Sequence, residues 1–438
     1  VKIKPLRVCH LGKYYPPAPG GIESHVQTIA RAQSAMGLSV RVICVNHTNH
    51  EGRDLTYVRH GATDTVREED GAIEVVRVGR SASFARLDVC PGLPKLLRRT
   101  ITAENTDVIH LHTPNPTMLL ALAAARPNVP LVITHHSDII RQRILKLALR
   151  PFEYFVYGKA AVIQSTSPEY PSESSLLRRY QDRVESLPLG VDLDAFTHPT
   201  PAAVEFANTL RAEHSDPIWL AVGRCVYYKS FDVAIRALPH VRGKLMIVGH
   251  GPLEPQLRQL SKDLGVADRV IWKHYLSPDE LVGTYRAATA LWFPSSARSE
   301  AFGLVQVEAM ACGTPVINTH ITGSGVPWVC PHDQTGLTVP LNDPVALANA
   351  ANRLTTEDGL HHRLASAARE RARREFDHRT MARRSLAVYQ RAVAREAREE
   401  TTWSVARPIL KACWPAPEFR RPALHEAVAE ESHAGFAA

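Results

Sequence analysis

The chain has 438 residues, 45% hydrophobic and 22% charged, an ordinary globular balance that excludes wholesale disorder and leaves room for about two or three domains of roughly 150 residues. Lys and Arg number 52 against 44 Asp and Glu, a formal charge of +8. That charge suits an anionic membrane face or a phosphorylated small molecule, and no RNP, zinc-finger or basic-zipper pattern favours nucleic acid. No stretch reaches the roughly 20 apolar residues of a membrane-spanning helix and no signal-peptide pattern opens the chain, so a cytoplasmic location is expected, peripheral to the inner face of the cell membrane at most. Seven cysteines (Cys9, Cys44, Cys90, Cys225, Cys312, Cys330, Cys413) are scattered without CxxC pairs, which argues against a disulfide framework or zinc knuckle and for a reducing compartment.

Short apolar runs alternate with helical stretches, and the pattern occurs twice. Leu6 to Leu11 reads as a buried strand, followed by the glycine- and proline-rich Gly12 to Gly21 and a helix from about Ile22 to Met36, stopped at Gly37. Further strands are predicted at Val40 to Val45, Ala72 to Val78, Val108 to Leu111, Leu131 to Thr134 and Ala161 to Ser165. Pro188 to Pro217, carrying Pro199, Pro201 and Pro217, reads as a hinge region. The grammar then restarts with strands at Ile218 to Val222, Lys244 to Val248, Val270 to Trp272, Ala290 to Phe293 and Pro315 to Ile317. The fold class is α/β, with two doubly wound Rossmann-like domains facing across a cleft: 1–195, joined by a C-terminal helix at about 378–400, and 196–377. The proline-dotted tail 401–438 reads as a loosely packed appendage.

In such sheets ligands bind beyond the carboxyl ends of the strands. The loop and helix from Ser299 to Val316 place Glu300 before a helix of about Gly303 to Ala311 and Glu308 two turns into it. Free amides near Phe302, Gly303 and Leu304 are suited to an anion such as a diphosphate, with the two carboxylates left for sugar and ribose hydroxyls. Arg224 and Lys229 follow another strand, a guanidinium fork and a point charge for a diphosphate. They would also stabilise charge on a departing nucleotide. Gly249-His250-Gly251-Pro252 and Gly20-Gly21 are turns that admit a close ligand, or simply tight turns. His110 and His112 alternate along one strand, and His135-His136 end the next. No further ligand set has metal-like spacing, so no metal is expected and polar substrate contacts are expected for His112 and His136.

The ordered set Gly20-Gly21-Ile22-Glu23, His110-Leu111-His112, Gly223-Arg224 with Lys229, Gly249-His250-Gly251-Pro252, and Glu300 with Glu308 at E-x7-E spacing resembles the retaining glycosyltransferases of family 4, which have the GT-B fold. Pro188-Leu189-Gly190-Val191-Asp192 is similar to the family's hinge-side motif, with Leu189 replacing the usual Asn. The resemblance covers about residues 5 to 395. It implies that Gly21 approaches the donor diphosphate from the amino lobe while Arg224 and Lys229 hold it from the carboxy lobe. Glu300 would orient the sugar, Glu308 would bind the ribose, and His112 would sit beside the reacting sugar. It also implies a metal-independent reaction with no cofactor, retaining the anomeric configuration by front-face displacement. Two departures stand out: Ser230 follows Lys229 where the family usually has Gly, and Trp328 stands where many relatives have Glu. Asn318 to Val339 is most similar to mannosyl- and rhamnosyltransferases that build bacterial surface polysaccharides such as lipopolysaccharide and exopolysaccharide. GDP-mannose is therefore the favoured donor, with a UDP-sugar as the alternative.

Arg141, Arg143, Lys146 and Arg150 with Phe152, Tyr154 and Phe155 form a basic, aromatic stretch suited to an anionic membrane surface. A solvated basic edge on a core helix explains it equally. A lipid-linked oligosaccharide or glycan acceptor is the expected second substrate. A nucleotide-sugar epimerase and a non-enzymatic nucleotide-sugar scaffold remain open on the residues alone. A dehydrogenase is disfavoured, because the first glycine loop is not GxGxxG. A pyridoxal-dependent phosphorylase is disfavoured too, because nothing marks a Schiff-base lysine.

Overall fold

A computed structural model describes residues 5–413 except 19, 48–62, 85–86, 104 and 139–142. The amino lobe contains β1 (Arg7–Leu11), β2 (Ser39–Val45), β3 (Val66–Asp70), β4 (Ile73–Val78), a short hairpin of β5 (Ala82–Phe84) and β6 (Leu87–Val89), then β7 (Val108–Thr113), β8 (Leu131–His135), β9 (Val162–Ser165) and β10 (Val184–Ser186). Apart from the hairpin these strands form one eight-stranded sheet in the order β10-β9-β8-β7-β1-β2-β4-β3. Only the β3–β4 pair is antiparallel. β7 and β8 are buried along their whole length, as a parallel sheet covered on both faces requires. β3, Val-Arg-Glu-Glu-Asp, is an exposed, charged edge, the usual protection of an unpaired sheet margin. Its composition hid it from the apolar-run reading.

The carboxy lobe contains β11 (Ile218–Val222), β12 (Lys244–Val248), β13 (Val270–Lys273), β14 (Ala290–Phe293), β15 (Val316–Thr319) and β16 (Gly336–Val339). They form a six-stranded sheet in the order β13-β12-β11-β14-β15-β16, every pair parallel. Trp219 and Trp292 stack between neighbouring strands at 5.1 Å. In both lobes the point where the strand order reverses lies beside the first strand, where such sheets open a crevice for ligands.

The chain crosses between the lobes at Leu187 to Leu193 and returns at Phe376 to His378, and the two crossings hydrogen-bond to each other. The Val191 amide donates to the Phe376 carbonyl at 2.8 Å and the His378 amide to the Val191 carbonyl at 3.0 Å. Gly190 permits this approach: a Cβ there would lie 2.8 Å from the His378 Cα and 2.9 Å from the Met381 Cβ. Leu189, in place of the resembling family's Asn, is buried in the carboxy-lobe core. The hinge is therefore narrower than Pro188 to Pro217. Pro199 to Pro217 instead contain a carboxy-lobe helix, Pro201–Glu213, whose start is capped by the Thr200 hydroxyl and marked by Pro201.

Residues 1–394 form one compact unit and 395–438 a second. In the first, the start of the His378–Cys413 helix packs Val388, Tyr389 and Ala392 into the amino-lobe core. In the second, the helix is assigned as far as Cys413, beyond the 400 expected; residues 414–438 of the expected tail lie outside the described residues. Among the described residues no helix is long and apolar enough to cross a membrane.

Candidate active site

The carboxy-lobe wall is built at the ends of β11, β12 and β14. Gly223 and Gly249 close the ends of β11 and β12 so tightly that a Cβ on Gly249 would lie 2.2 Å from the Gly223 carbonyl oxygen. Gly251 is equally confined, its Cβ position 2.6 Å from the Cys225 carbonyl oxygen. These loops carry Arg224, which is exposed and makes no side-chain hydrogen bond or ion pair with the described residues. Lys229 is buried. Its ammonium sits 4.8 Å from the centre of the Phe293 ring and 2.5 Å from Glu300 Oε2. The Ser295 hydroxyl donates to the same carboxylate oxygen at 3.3 Å, and the Ser324 hydroxyl holds the Glu300 carbonyl at 2.5 Å. Glu308 is half-buried, and the Tyr285 hydroxyl donates to it at 2.7 Å. Burial pushes its carboxyl above the usual range, against the opposing pull of Tyr285 and of the Lys229 charge.

Two helix starts face one another across the cleft. The Gly21–Ala35 helix follows Gly20 and the Leu304–Cys312 helix follows Gly303, and neither start carries a side-chain cap. A Cβ on Gly21 would lie 3.8 Å from Leu304 Cδ1. Gly303 has φ 79°, and a Cβ there would lie 2.6 Å from the Phe293 ring, so glycine is needed on both counts. The Phe302 side chain belongs to the core, edge-on to Phe376, which leaves only the backbone of this segment for a ligand. Two uncapped helix starts, two cations and two carboxylates make a site for an anionic group flanked by hydroxyls.

The amino-lobe wall holds an arrangement that local spacing did not reveal. His110 and His112 share one face of β7, being two residues apart, and His10 lies beside His110 in register. His136 and His25 complete a group of five buried histidines. The fold gathers ligand sets that spacing along the chain did not show: His10, His110 and His112, and again His25, His112 and His136, each bring three ring nitrogens within 4.8 Å. Hydrogen bonds among these rings assign most of the protons. Gln33 donates through Nε2 to Ser385 and Tyr389 (2.8 and 3.0 Å), so its Oε1 accepts from His10 Nε2 at 2.8 Å. His10 Nδ1 then accepts from His112 Nε2 at 3.0 Å, and His112 Nδ1 from His136 Nε2 at 3.3 Å. A second branch runs from Tyr389 into His110 Nδ1 (2.6 Å) and from His110 Nε2 through Thr134 to Gln164. His136 Nδ1 is left as the acceptor end of the first chain. His112, expected beside the sugar, is enclosed with both nitrogens engaged. His25 makes no ring hydrogen bond with the described residues and packs edge-on against His112 and His136.

Burial pushes every one of these imidazoles down, His10 to about 4 and His25 to about 3, with His110, His112 and His136 also well below their ordinary value. All five are therefore neutral at pH 7, as the single-proton links through His10, His112, His136 and His110 require of those four.

Arg298, which the sequence did not mark, ties the lobes together. Its guanidinium donates to the Glu173 carbonyl at 2.9 Å and to Asp138 at 3.3 Å, and lies over the Tyr170 ring at 4.8 Å. Burial opposes the charge on Asp138, but the His135 ring, the Ser174 hydroxyl and Arg298 prevail and hold its carboxyl at about 2. Of the two departures, Ser230 sits at φ 49°, the left-handed conformation that glycine adopts most easily, and its hydroxyl meets that of Ser296 at 2.6 Å. Trp328 packs under the Arg371 guanidinium and against Phe376.

A two-lobed α/β transferase with a cationic cleft is what the fold and site define. Residues 19–195 match the family described as Glycosyltransferase Family 4, and residues 205–371 the family described as Glycosyl transferases group 1. The chain is 30% identical to D-rhamnosyltransferase WbpZ of Pseudomonas aeruginosa, over 79% of this chain and 85% of that one. It is 28% identical to O-antigen chain mannosyltransferase C of Escherichia coli, over 85% of this chain and 94% of that one. Sucrose-phosphate synthase of Thermosynechococcus elongatus shares its fold at a TM-score of 0.72 and 23% identity, over 89% of this chain and 99% of that one. The chain belongs to the family 4 glycosyltransferases and has their GT-B fold.

Proposed function

We propose that the protein transfers a hexose, mannose first among candidates, from a nucleotide sugar to a lipid-linked or polysaccharide acceptor in the assembly of a bacterial surface polysaccharide. The observation that carries this reading is the convergence of Gly21, Leu304, Arg224 and the Lys229–Glu300 pair on one cleft. A donor diphosphate between the two helix starts competes for Lys229. As Lys229 turns to the phosphates, Glu300 is released to accept hydrogen bonds from the sugar hydroxyls, and Glu308 is placed for the ribose. The acceptor hydroxyl oxygen then bonds to the anomeric carbon from the face the diphosphate is leaving. The C1–O bond breaks with its electron pair on the phosphate, and that phosphate takes the hydroxyl proton, so configuration is retained. Arg224 and Lys229 supply the charge stabilisation that a metal gives elsewhere. The mannosyl and rhamnosyl activities in the names of the two sequence relatives favour GDP-mannose as donor.

The same reading places the protein on the inner face of the cell membrane. The Arg143–Lys159 helix exposes Leu147, Phe152 and Phe155 beside an exposed Arg150, an apolar face with a basic border. Arg141 lies outside the described residues, as do the side chains of Arg143 and Lys146. Replacing Leu147 and Phe152 by Ser should weaken sedimentation with anionic vesicles; unchanged sedimentation removes the membrane role.

The donor is tested by thermal stabilisation with GDP, UDP and ADP in EDTA, since a ligand bound only by the native state raises the melting temperature. A shift with GDP alone supports the proposal, a shift with UDP alone replaces the donor base, and no shift with any of the three refutes nucleotide-sugar transfer without a metal.

A further inference from the structure

The histidines of the amino-lobe wall form two sets that bring three ring nitrogens together, and their hydrogen bonds tell the sets apart. In the set of His10, His110 and His112, all four nitrogens of His10 and His110 are engaged, by Gln33, His112, Tyr389 and Thr134. An ion there would have to break the links that order the wall. The set of His25, His112 and His136 is different. His25, one turn into the Gly21–Ala35 helix, is 2% exposed, and neither of its ring nitrogens has a hydrogen-bond partner among the described residues. A polar group buried without a partner costs stability, and a ligand at this position would recover it. The ring stands edge-on to both His112 and His136, with centres 5.4 and 4.9 Å away.

The other two rings are already spaced for coordination. His112 Nδ1 and His136 Nε2 lie 3.3 Å apart, long for a hydrogen bond. Two nitrogens bound at about 2.0–2.1 Å to a tetrahedral zinc ion lie about 3.3–3.4 Å apart. His112 is also oriented from behind. Its Nε2 donates to His10 Nδ1 at 3.0 Å, and His10 is held in turn by Gln33 at 2.8 Å. That link leaves the His112 Nδ1 lone pair facing the site, as an outer hydrogen bond does for a metal-bound imidazole.

We infer that His25, His112 and His136 bind one zinc ion, through His112 Nδ1, His136 Nε2 and one nitrogen of His25. Three imidazoles and no carboxylate in the set favour zinc over magnesium or calcium, which take oxygen ligands. The proton on His136 Nε2 transfers to its Nδ1, so all three rings ligate as neutral imidazoles and no proton is released. His25 gives up no hydrogen bond and closes from at most 4.8 Å by rotating its side chain. Water takes the fourth position. Binding thereby changes the face of the wall: His136 Nδ1, an acceptor without zinc, becomes a donor with it. The site goes beyond the proposed transfer reaction, whose cations are Arg224 and Lys229 on the opposite wall.

The test uses the full chain, freed of metal with EDTA and exchanged into buffer without chelator. Cobalt(II) is the spectroscopic probe, because its visible d–d absorption is intense in four-coordinate sites and weak in octahedral ones. One equivalent of cobalt should give the intense bands. Zinc should bleach them by displacement, and an excess of magnesium should not. His25→Phe and His136→Gln should each abolish the bands and weaken zinc binding at least about tenfold in calorimetry, with far-UV circular dichroism in EDTA unchanged. His25→Gln is the second replacement should the larger ring of His25→Phe disturb the fold. Intense bands that survive the loss of His25, or only weak octahedral absorption in the unaltered protein, overturn the inference. The thermal shift with nucleotide in EDTA reads the donor site separately: its absence in the unaltered protein refutes the transferase reading and leaves the zinc site standing.

Discussion

On the carboxy-lobe wall of the cleft, opposite charges are held against each other, Lys229 on Glu300, with Arg224 exposed nearby. On the amino-lobe wall, five histidines are kept neutral by burial, and His10, His112 and His136 are joined by single-proton hydrogen bonds. The first wall exchanges partners when an anion arrives. The second cannot take up charge without breaking its own links, and so it presents a fixed hydrogen-bond acceptor at His136. One wall is arranged for electrostatic work on a leaving diphosphate, the other for orientation.

Breaking the charged wall should have the largest effect. Lys229→Ala or Glu300→Ala is expected to lower turnover by about 10²–10³-fold or more, measured with the donor that the nucleotide screen selects; unchanged turnover in both would remove the site. Each single change also strands a nearly buried charge, at about 1–3 kcal/mol of stability. The double variant Lys229→Met/Glu300→Gln should therefore melt higher than either single one.

Acid should break the neutral wall instead. Because the folded-state values of His10 and His25 lie below that of an unfolded histidine, the native state takes up fewer protons as pH falls through about 6.5. Stability is thus full above that pH and is lost on acidification, by about 2 kcal/mol for each of these two residues between pH 7 and pH 5. The predicted readout is a falling denaturant midpoint over that window. His25→Phe should flatten the slope, and a slope unaffected by it would contradict a neutral buried His25.

Tyr389→Phe sharpens the comparison by cutting a hydrogen-bond branch without altering charge. It leaves His110 Nδ1 and one Gln33 donor without their partner, an expected loss of about 1–3 kcal/mol in chemical denaturation, with nucleotide binding unchanged. The smallest effect belongs to Ser230→Gly. Relief of the left-handed backbone and loss of the hydrogen bond to Ser296 oppose each other, so stability should move by no more than about 1 kcal/mol.

What was legible before the structure follows from what local pattern encodes. Strands such as β1, β11 and β14 are apolar runs of their own, and Glu300 and Glu308 fall on one loop and helix, so spacing alone assembles them. β3 is charged and β16 is short and begins at Gly336, so neither has an apolar run to find. The Lys229–Glu300 contact joins loops after different strands and depends on β14 lying beside β11. The histidine group depends on β1 lying between β7 and β2 and on Gly21–Ala35 crossing above. One local sign was available: His10, His110, Thr134 and Gln164 interrupt strands that otherwise need apolar residues on both faces. Arg298 had no such sign, because Glu173 and Asp138, its partners across the cleft, are distant in the sequence.

The return of the C-terminal helix to the amino lobe bears on the order in which the protein takes shape during synthesis. Gln33 and His110 find their partners at Ser385 and Tyr389, so the first lobe made is among the last finished. Its buried imidazoles wait through translation of the entire second lobe for the hydroxyls that complete them. A ribosome stalled between the two crossings would therefore hold a carboxy lobe in the making beside an amino lobe whose sheet is present but whose polar seam is still open to water.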